Sequence, residues 1–108
     1  MIRGQIYRLS PPPGGDPKRS RCYVVVSRQT LLDSRADKII CAPINSAFVG
    51  LETQVPVGIE EGLKQASCVN GDQLVLVERS RLTNYVGSLT PLKLRALRDA
   101  LRVGLDLE

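Results

Sequence analysis

Cys22-Tyr23-Val24-Val25-Val26-Ser27 is the stretch on which the fold turns. Its four consecutive apolar residues are mostly β-branched and lack the three-to-four spacing of an amphipathic helix, so they read as a strand buried on both faces. Upstream, residues 4–9 alternate around Ile6 and form an opening strand. That strand stops at Pro11-Pro12-Pro13, because proline gives no N–H to a sheet ladder, and residues 11–20 become a surface loop. Downstream, residues 29–36 suit a short helix and residues 38–43 a second buried strand. Residues 45–50 suit a turn or loop, and residues 53–57 an alternating strand that Pro56 assigns to a sheet edge. Residues 60–64 fit a single turn. Residues 66–69 and 73–77 read as strand around Asn70-Gly71-Asp72, which suits either a hairpin turn or a bulge within one long bent strand. A short turn at 80–82 precedes a last strand at 85–89.

The C-terminal segment reads as helix. Thr90 is a good N-cap, Pro91 fits the first helical position, and Leu94, Leu97, Leu101 and Leu105 recur at spacings of three and four. One face then packs on the sheet, with Lys93, Arg95, Arg98 and Arg102 on or near the other. Five or six short strands and one terminal helix predict a mainly β protein with a C-terminal helix, built as a small, strongly bent sheet or SH3-like barrel.

The 108 residues suit one domain over 1–108. No apolar run approaches the roughly 20 residues of a membrane helix, and the N-terminus carries no apolar signal core, so the expectation is a cytoplasmic protein without a membrane role. Cys22, Cys41 and Cys68 match neither a disulfide framework nor the paired spacing of a zinc site, and read as buried thiols. The absence of His removes the usual general base and the commonest metal ligand. Any catalysis must run on carboxylates, Arg, Lys, hydroxyls and amides. The net charge of +4 is uneven: residues 1–28 hold Arg3, Arg8, Lys18, Arg19, Arg21 and Arg28 against Asp16 alone. A polyanion is a plausible partner for that end, although a solvated basic surface has the same composition.

Three places carry polar groups where chemistry is feasible. In Gly14-Gly15-Asp16-Pro17-Lys18-Arg19-Ser20-Arg21, cations and open glycine backbone lead into the buried strand, a setting suited to phosphate or to a solvated turn. Asn45 and Ser46 follow Ala42-Pro43-Ile44 at a strand end, where they can meet a ligand or cap the turn. Asn70-Gly71-Asp72-Gln73 breaks an apolar strand, as a site or as a structural bulge.

These same places carry a resemblance to the MazF/PemK toxins. Arg3-Gly4-Gln5-Ile6-Tyr7 looks like their "RGDIY" opening, residues 14–27 like "GSE…RPVVVVS", and residues 39–46 like "VIVAPITS". Residues 50–57 with Gly62-Leu63 are similar to "GLPTEVPV…GL". Gly71-Asp72-Gln73-Leu74 with Ser80-Arg81-Leu82 resembles "CDQIRTVDKSRL", and Val86-Gly87-Ser88-Leu89 resembles "IGRLS". The likeness runs from about residue 2 to residue 105 with the motifs in order. It implies an SH3-like barrel of the MazF/PemK/CcdB type that forms a homodimer. It further implies cleavage of single-stranded mRNA at short sequences with neither metal nor other cofactor. Its implied partners are the RNA substrate, a cognate antitoxin whose acidic tail covers the RNA groove, and promoter DNA bound by the toxin–antitoxin complex.

By the same resemblance, Arg21 takes the catalytic arginine's position. Asn45 stands where the family has a catalytic Thr, Ser46 is retained, Asp16 replaces a frequent Glu, and Asp72 matches the Asp of "CDQ". Val75 replaces the Arg of "QIRT", and Arg21-Cys22-Tyr23 replaces "RPV". These departures bear on cleavage rate and sequence choice more than on fold.

Attack of a 2′-hydroxyl on the adjacent phosphate needs a proton acceptor, a proton donor for the leaving 5′-oxygen, and positive charge near the phosphorane. Arg21 suits charge stabilisation, since a guanidinium with a pKa above about 12 is a poor base. Asn45 and Ser46 suit hydrogen bonds to phosphate or hydroxyl oxygens, and Asp16 or Asp72 suits proton acceptance. Lys18, Arg19, Asp72 and Gln73 are candidate RNA contacts. Phe48, beside Asn45, suits stacking on a base or packing on the barrel rim. Two rival readings fit the composition. One is a toxin-fold protein without catalysis, binding a protein target such as gyrase or serving only in transcriptional autoregulation. The other is a basic SH3-like module of a nucleic-acid or ribosomal assembly.

Overall fold

The computed structural model describes residues 1–9, 14 and 21–108. Asp16, Lys18 and Arg19 belong to the expected 11–20 loop, which Gly14 apart lies outside the described residues. Among the described residues, seven strands form one antiparallel sheet: β1 (Gln5–Leu9), β2 (Cys22–Val25), β3 (Lys38–Asn45), β4 (Gln54–Val57), β5 (Ser67–Asn70), β6 (Val75–Glu78) and β7 (Leu82–Ser88). Their order is β4-β5-β3-β2-β1-β7, with β6 also paired to β3. A single helical turn, α1 (Gln29–Leu32), joins β2 to β3, and the longer α2 (Pro91–Gly104) follows β7. No helix among the described residues is long and apolar enough to cross a membrane.

The central strands β2 and β3 contribute side chains to cores on both faces, although Lys38 and Ile40 at the start of β3 are exposed. Val24, Val26, Ala42 and Ile44 join the cluster that contains Leu97 and Ala100 of α2, while Val25, Ile39 and Cys41 join a second cluster with Leu32, Val77 and Leu82. An unbroken apolar run is what a strand between two cores requires. Leu97 is wholly buried, so truncating it to Ala would cost roughly 2–5 kcal/mol. Helix α2 begins as its sequence suggests, with Thr90 Oγ1 accepting the Lys93 N–H at 3.2 Å. It ends sooner than the leucine spacing suggests: Leu105 lies beyond the last helical residue and is exposed.

Asn70-Gly71-Asp72 is the break inside a bent ribbon, not a hairpin. β5 and β6 do not pair with each other; both run along the same side of β3, and between the two pairings three steps on β3 (Cys41 to Ile44) face six on the other chain (Val75 to Val69). The extra residues bend the sheet, as bulges do. Pro43, which has no N–H to give, falls in that gap, where β3 has neither β5 nor β6 as partner. Further register shifts lie between β1 and β7. Pro56 occupies β4, an outer strand, as its missing donor suggests.

The bend brings a 3-10 turn (Ile59–Glu61) against β7. Gly62 has a φ of +97°, and a Cβ on it would run into the Val86 carbonyl oxygen. A Cβ on Gly87 would likewise meet the Glu61 carbonyl oxygen. Only paired glycines allow these two main chains to approach so closely. The contact draws the segment after β4 across to the far edge and gives the open sheet its barrel-like shape.

Candidate nucleic-acid interface

A groove of about 700 Å³ opens between the start of β2, the end of β3, the segment after Gly62 and β7. Among the described residues, three cations line it: Arg8, Arg21 and Lys64. Its described lining contains no carboxylate. Arg8 is the register partner of Cys22 across β1 and β2, which sets it beside Arg21. Arg21 is anchored through its main chain, its carbonyl accepting the Leu9 N–H at 3.0 Å, while its side chain is exposed. Together these side chains give the groove a positive potential suited to phosphate.

Asn45 ends β3 at the groove wall. Its Oδ1 accepts two internal hydrogen bonds, from the Ala47 N–H at 3.2 Å and the Cys68 thiol at 3.5 Å. With the oxygen engaged inside, the two N–H donors are the half of the carboxamide left for a ligand. Ser46 follows, exposed on the same wall, and Gln65 and Ser67 stand on the other. Burial raises the Cys68 thiol above its ordinary range, and pushes Cys41 in the second core up to about 12. Both therefore stay protonated at neutral pH. Cys22, only half-buried, lines the groove, a departure from the expectation of three buried thiols.

Of the residues singled out from sequence, Arg21, Asn45 and Ser46 come together here. Phe48, Asp72 and Gln73 are not among the groove's lining. Phe48 is 51% exposed on the loop after Ser46. Gln54 holds that loop, donating to the Ala47 carbonyl at 3.0 Å and accepting the Val49 and Leu51 N–H groups at 3.0 and 3.3 Å. Asp72 lies past the opposite end of β5, where its Oδ2 accepts the Thr53 hydroxyl at 2.6 Å and its N–H donates to Asn70 Oδ1 at 3.1 Å. Its Oδ1 faces Gly104 at the end of α2. Sequence reasoning missed Arg8, Lys64, Gln65 and Ser67. Arg8 had a signal, as a cation on the opening strand; the others follow a turn whose location depends on the distant Gly87. Among the described residues no group of His, Cys, Asp or Glu could hold a metal ion.

Fold and groove define a small, bent antiparallel sheet backed by a C-terminal helix, with a cationic cleft where its second and third strands meet the far edge. The model of the PemK-like, MazF-like toxins of type II toxin–antitoxin systems matches residues 2–105. The Mycobacterium tuberculosis toxin MazF-mt6 shares 25% identity and a TM-score of 0.82, over 96% of this chain and 98% of that one. A mycobacterial endoribonuclease in complex with its cognate antitoxin has a TM-score of 0.83 at 22% identity, over 100% of this chain and 97% of that one. A chain of the MazE–MazF complex from Deinococcus radiodurans has a TM-score of 0.76 at 17% identity, over 100% and 98%. The last two likenesses bear on the fold alone. The chain belongs to the PemK-like, MazF-like family of type II toxin–antitoxin toxins.

Proposed function

We propose that this toxin is an endoribonuclease that cuts single-stranded mRNA in the cytoplasm without a metal. The observation that carries the reading is the clustering of Arg8, Arg21 and Lys64 with the donor side of Asn45 in one groove whose described lining has no carboxylate. The 2′-oxygen of the substrate attacks the adjacent phosphorus as its proton leaves, the bond from phosphorus to the 5′-oxygen breaks, and that oxygen takes up a proton. The products are a 2′,3′-cyclic phosphate and a 5′-hydroxyl end. Arg21 stabilises the charge gathering on the phosphorane, a role whose removal typically costs 10²- to 10³-fold in rate, and Asn45 and Ser46 add weaker, neutral hydrogen bonds to its oxygens. Asp72 is unsuited to the proton-acceptor role, since it lies outside the groove's lining, at the opposite end of β5, with its Oδ2 accepting the Thr53 hydroxyl. Asp16, five residues before Arg21, is the remaining carboxylate candidate, with Lys18 and Arg19 as RNA contacts.

A cognate antitoxin neutralises the toxin by laying acidic residues along the same cations, the toxin works as a homodimer, and the toxin–antitoxin complex binds promoter DNA. The test is a digest of unstructured RNA by purified protein in chelator. Fragments with 5′-hydroxyl ends, lost in Arg21→Ala, are the expected result. A folded wild-type sample that leaves every RNA intact would overturn the ribonuclease reading.

A further inference from the structure

We propose that Cys68 is a positioning residue for Asn45, holding its carboxamide with the N–H donors turned into the groove; the inference rests on the ribonuclease reading and adds a part to it. Asn45 and Cys68 are register partners across β3 and β5. Cys68 is wholly buried, and its Sγ lies 3.5 Å from Asn45 Oδ1. The Ala47 N–H, at 3.2 Å, reaches the same oxygen from the loop side. An Asn carboxamide has a donor end and an acceptor end of nearly the same shape, so its orientation is set by its neighbours. Two donors on one oxygen select the orientation that presents N–H groups to a phosphate. The opposite orientation would bring a carbonyl oxygen to the substrate's anionic oxygens and lose both internal bonds.

The thiol must be protonated for this to work, because a thiolate would attract the N–H end and reverse the group. Burial of Cys68 disfavours the thiolate. Where the family has a Thr, whose hydroxyl both donates and accepts, this chain has a side chain that needs an orienting partner, and the buried thiol supplies it. The S–H bond is weak, so its loss is felt as misorientation of Asn45 and not as collapse of the site.

The test combines turnover, a double-mutant cycle and NMR of the Asn45 side-chain amide. Cys68→Ala is expected to lower kcat on a short single-stranded RNA roughly three- to tenfold with KM nearly unchanged, and Cys68→Ser, which restores a donor, to recover most of it. In an Asn45→Ala background, Cys68→Ala should have no further effect on kcat, because the group it orients is gone. Cys41→Ala, at an equally buried thiol in the other core, controls for lost packing and should leave kcat unchanged. Additive losses in the cycle, or no rescue by Ser in a variant that melts normally, would overturn the proposal. The Asn45 amide resonances separate the two levels. If wild-type protein cuts no RNA, the ribonuclease reading falls. The orientation of Asn45 by Cys68 then stands or falls on whether its amide signals shift in Cys68→Ala and return toward wild type in Cys68→Ser.

Discussion

Two polar interruptions of apolar strand, Pro43-Ile44-Asn45-Ser46 and Asn70-Gly71-Asp72-Gln73, look alike in sequence and do opposite things in the fold. At the first, the polar atoms that face inward are satisfied by Ala47 and Cys68, and the donors that remain look onto a cationic groove. At the second, the Asp72 carboxylate is taken by the Thr53 hydroxyl, the Gly71 N–H donates to the Thr53 carbonyl at 2.8 Å, and α2 ends alongside. A strand end is a candidate site when its hydrogen bonding is left incomplete towards open space. It is a seam when the fold itself completes it.

The largest effect that can break this comparison is Arg21→Ala. Cleavage should fall at least about a hundredfold, or about 2.7 kcal/mol of barrier, with the melting temperature unchanged, as read by single-turnover digestion and thermal denaturation. Asn45→Ala should follow at about tenfold, or about 1.4 kcal/mol of barrier, with a stability cost of about 1 kcal/mol from the lost Ala47 and Cys68 hydrogen bonds.

Alkali separates the groove end from the seam in another way, because a buried thiol backs only the former among the described residues. Cys41 and Cys68 hold their protons in the folded state to a higher pH than in the unfolded chain, where the ordinary value is 9.0. The Cys41 contribution is therefore intact below pH 9 and is lost as pH rises from 9 towards 12, by up to about 1.4 kcal/mol per pH unit, and Cys68 acts in the same direction. Denaturant melts across that range should show the decline, and Cys41→Ala should flatten it.

At the seam the expected pattern reverses. Thr53→Val should cost about 1 kcal/mol of stability with RNA cleavage at the wild-type rate, and Asp72→Asn, which keeps an acceptor for the hydroxyl, only a few tenths. A hundredfold loss of cleavage from Asp72→Asn would make the seam part of the catalytic site and erase the distinction.

Much of this was legible because it depends on local pattern. The 22–27 run announces a strand with a core on both sides, Thr90 and Pro91 announce a helix start, and Pro56 announces an edge. Arg21, Asn45 and Ser46 were legible as candidates because they flank buried strands. The bent β5–β6 ribbon was not, since Asn-Gly-Asp satisfies hairpin and bulge equally and only the shared partner β3 distinguishes them. The wall carrying Lys64, Gln65 and Ser67 was hidden for the same kind of reason: it is in place because Gly62 meets Val86 and Gly87 meets Glu61, contacts between residues far apart in the chain. Leu105 kept the helical spacing and yet lies exposed, because periodicity does not say where the sheet beneath a helix ends.

The division between groove and seam is tested most directly by titrating the isotope-labelled toxin with a short single-stranded RNA made uncleavable by 2′-O-methylation, and following backbone and side-chain amide shifts. Shifts centred on Arg21, Asn45, Ser46 and Lys64, with Asp72 and Gln73 unmoved, are the predicted result. Shifts centred on the Thr53–Asp72 seam, or none at any RNA concentration, would contradict it.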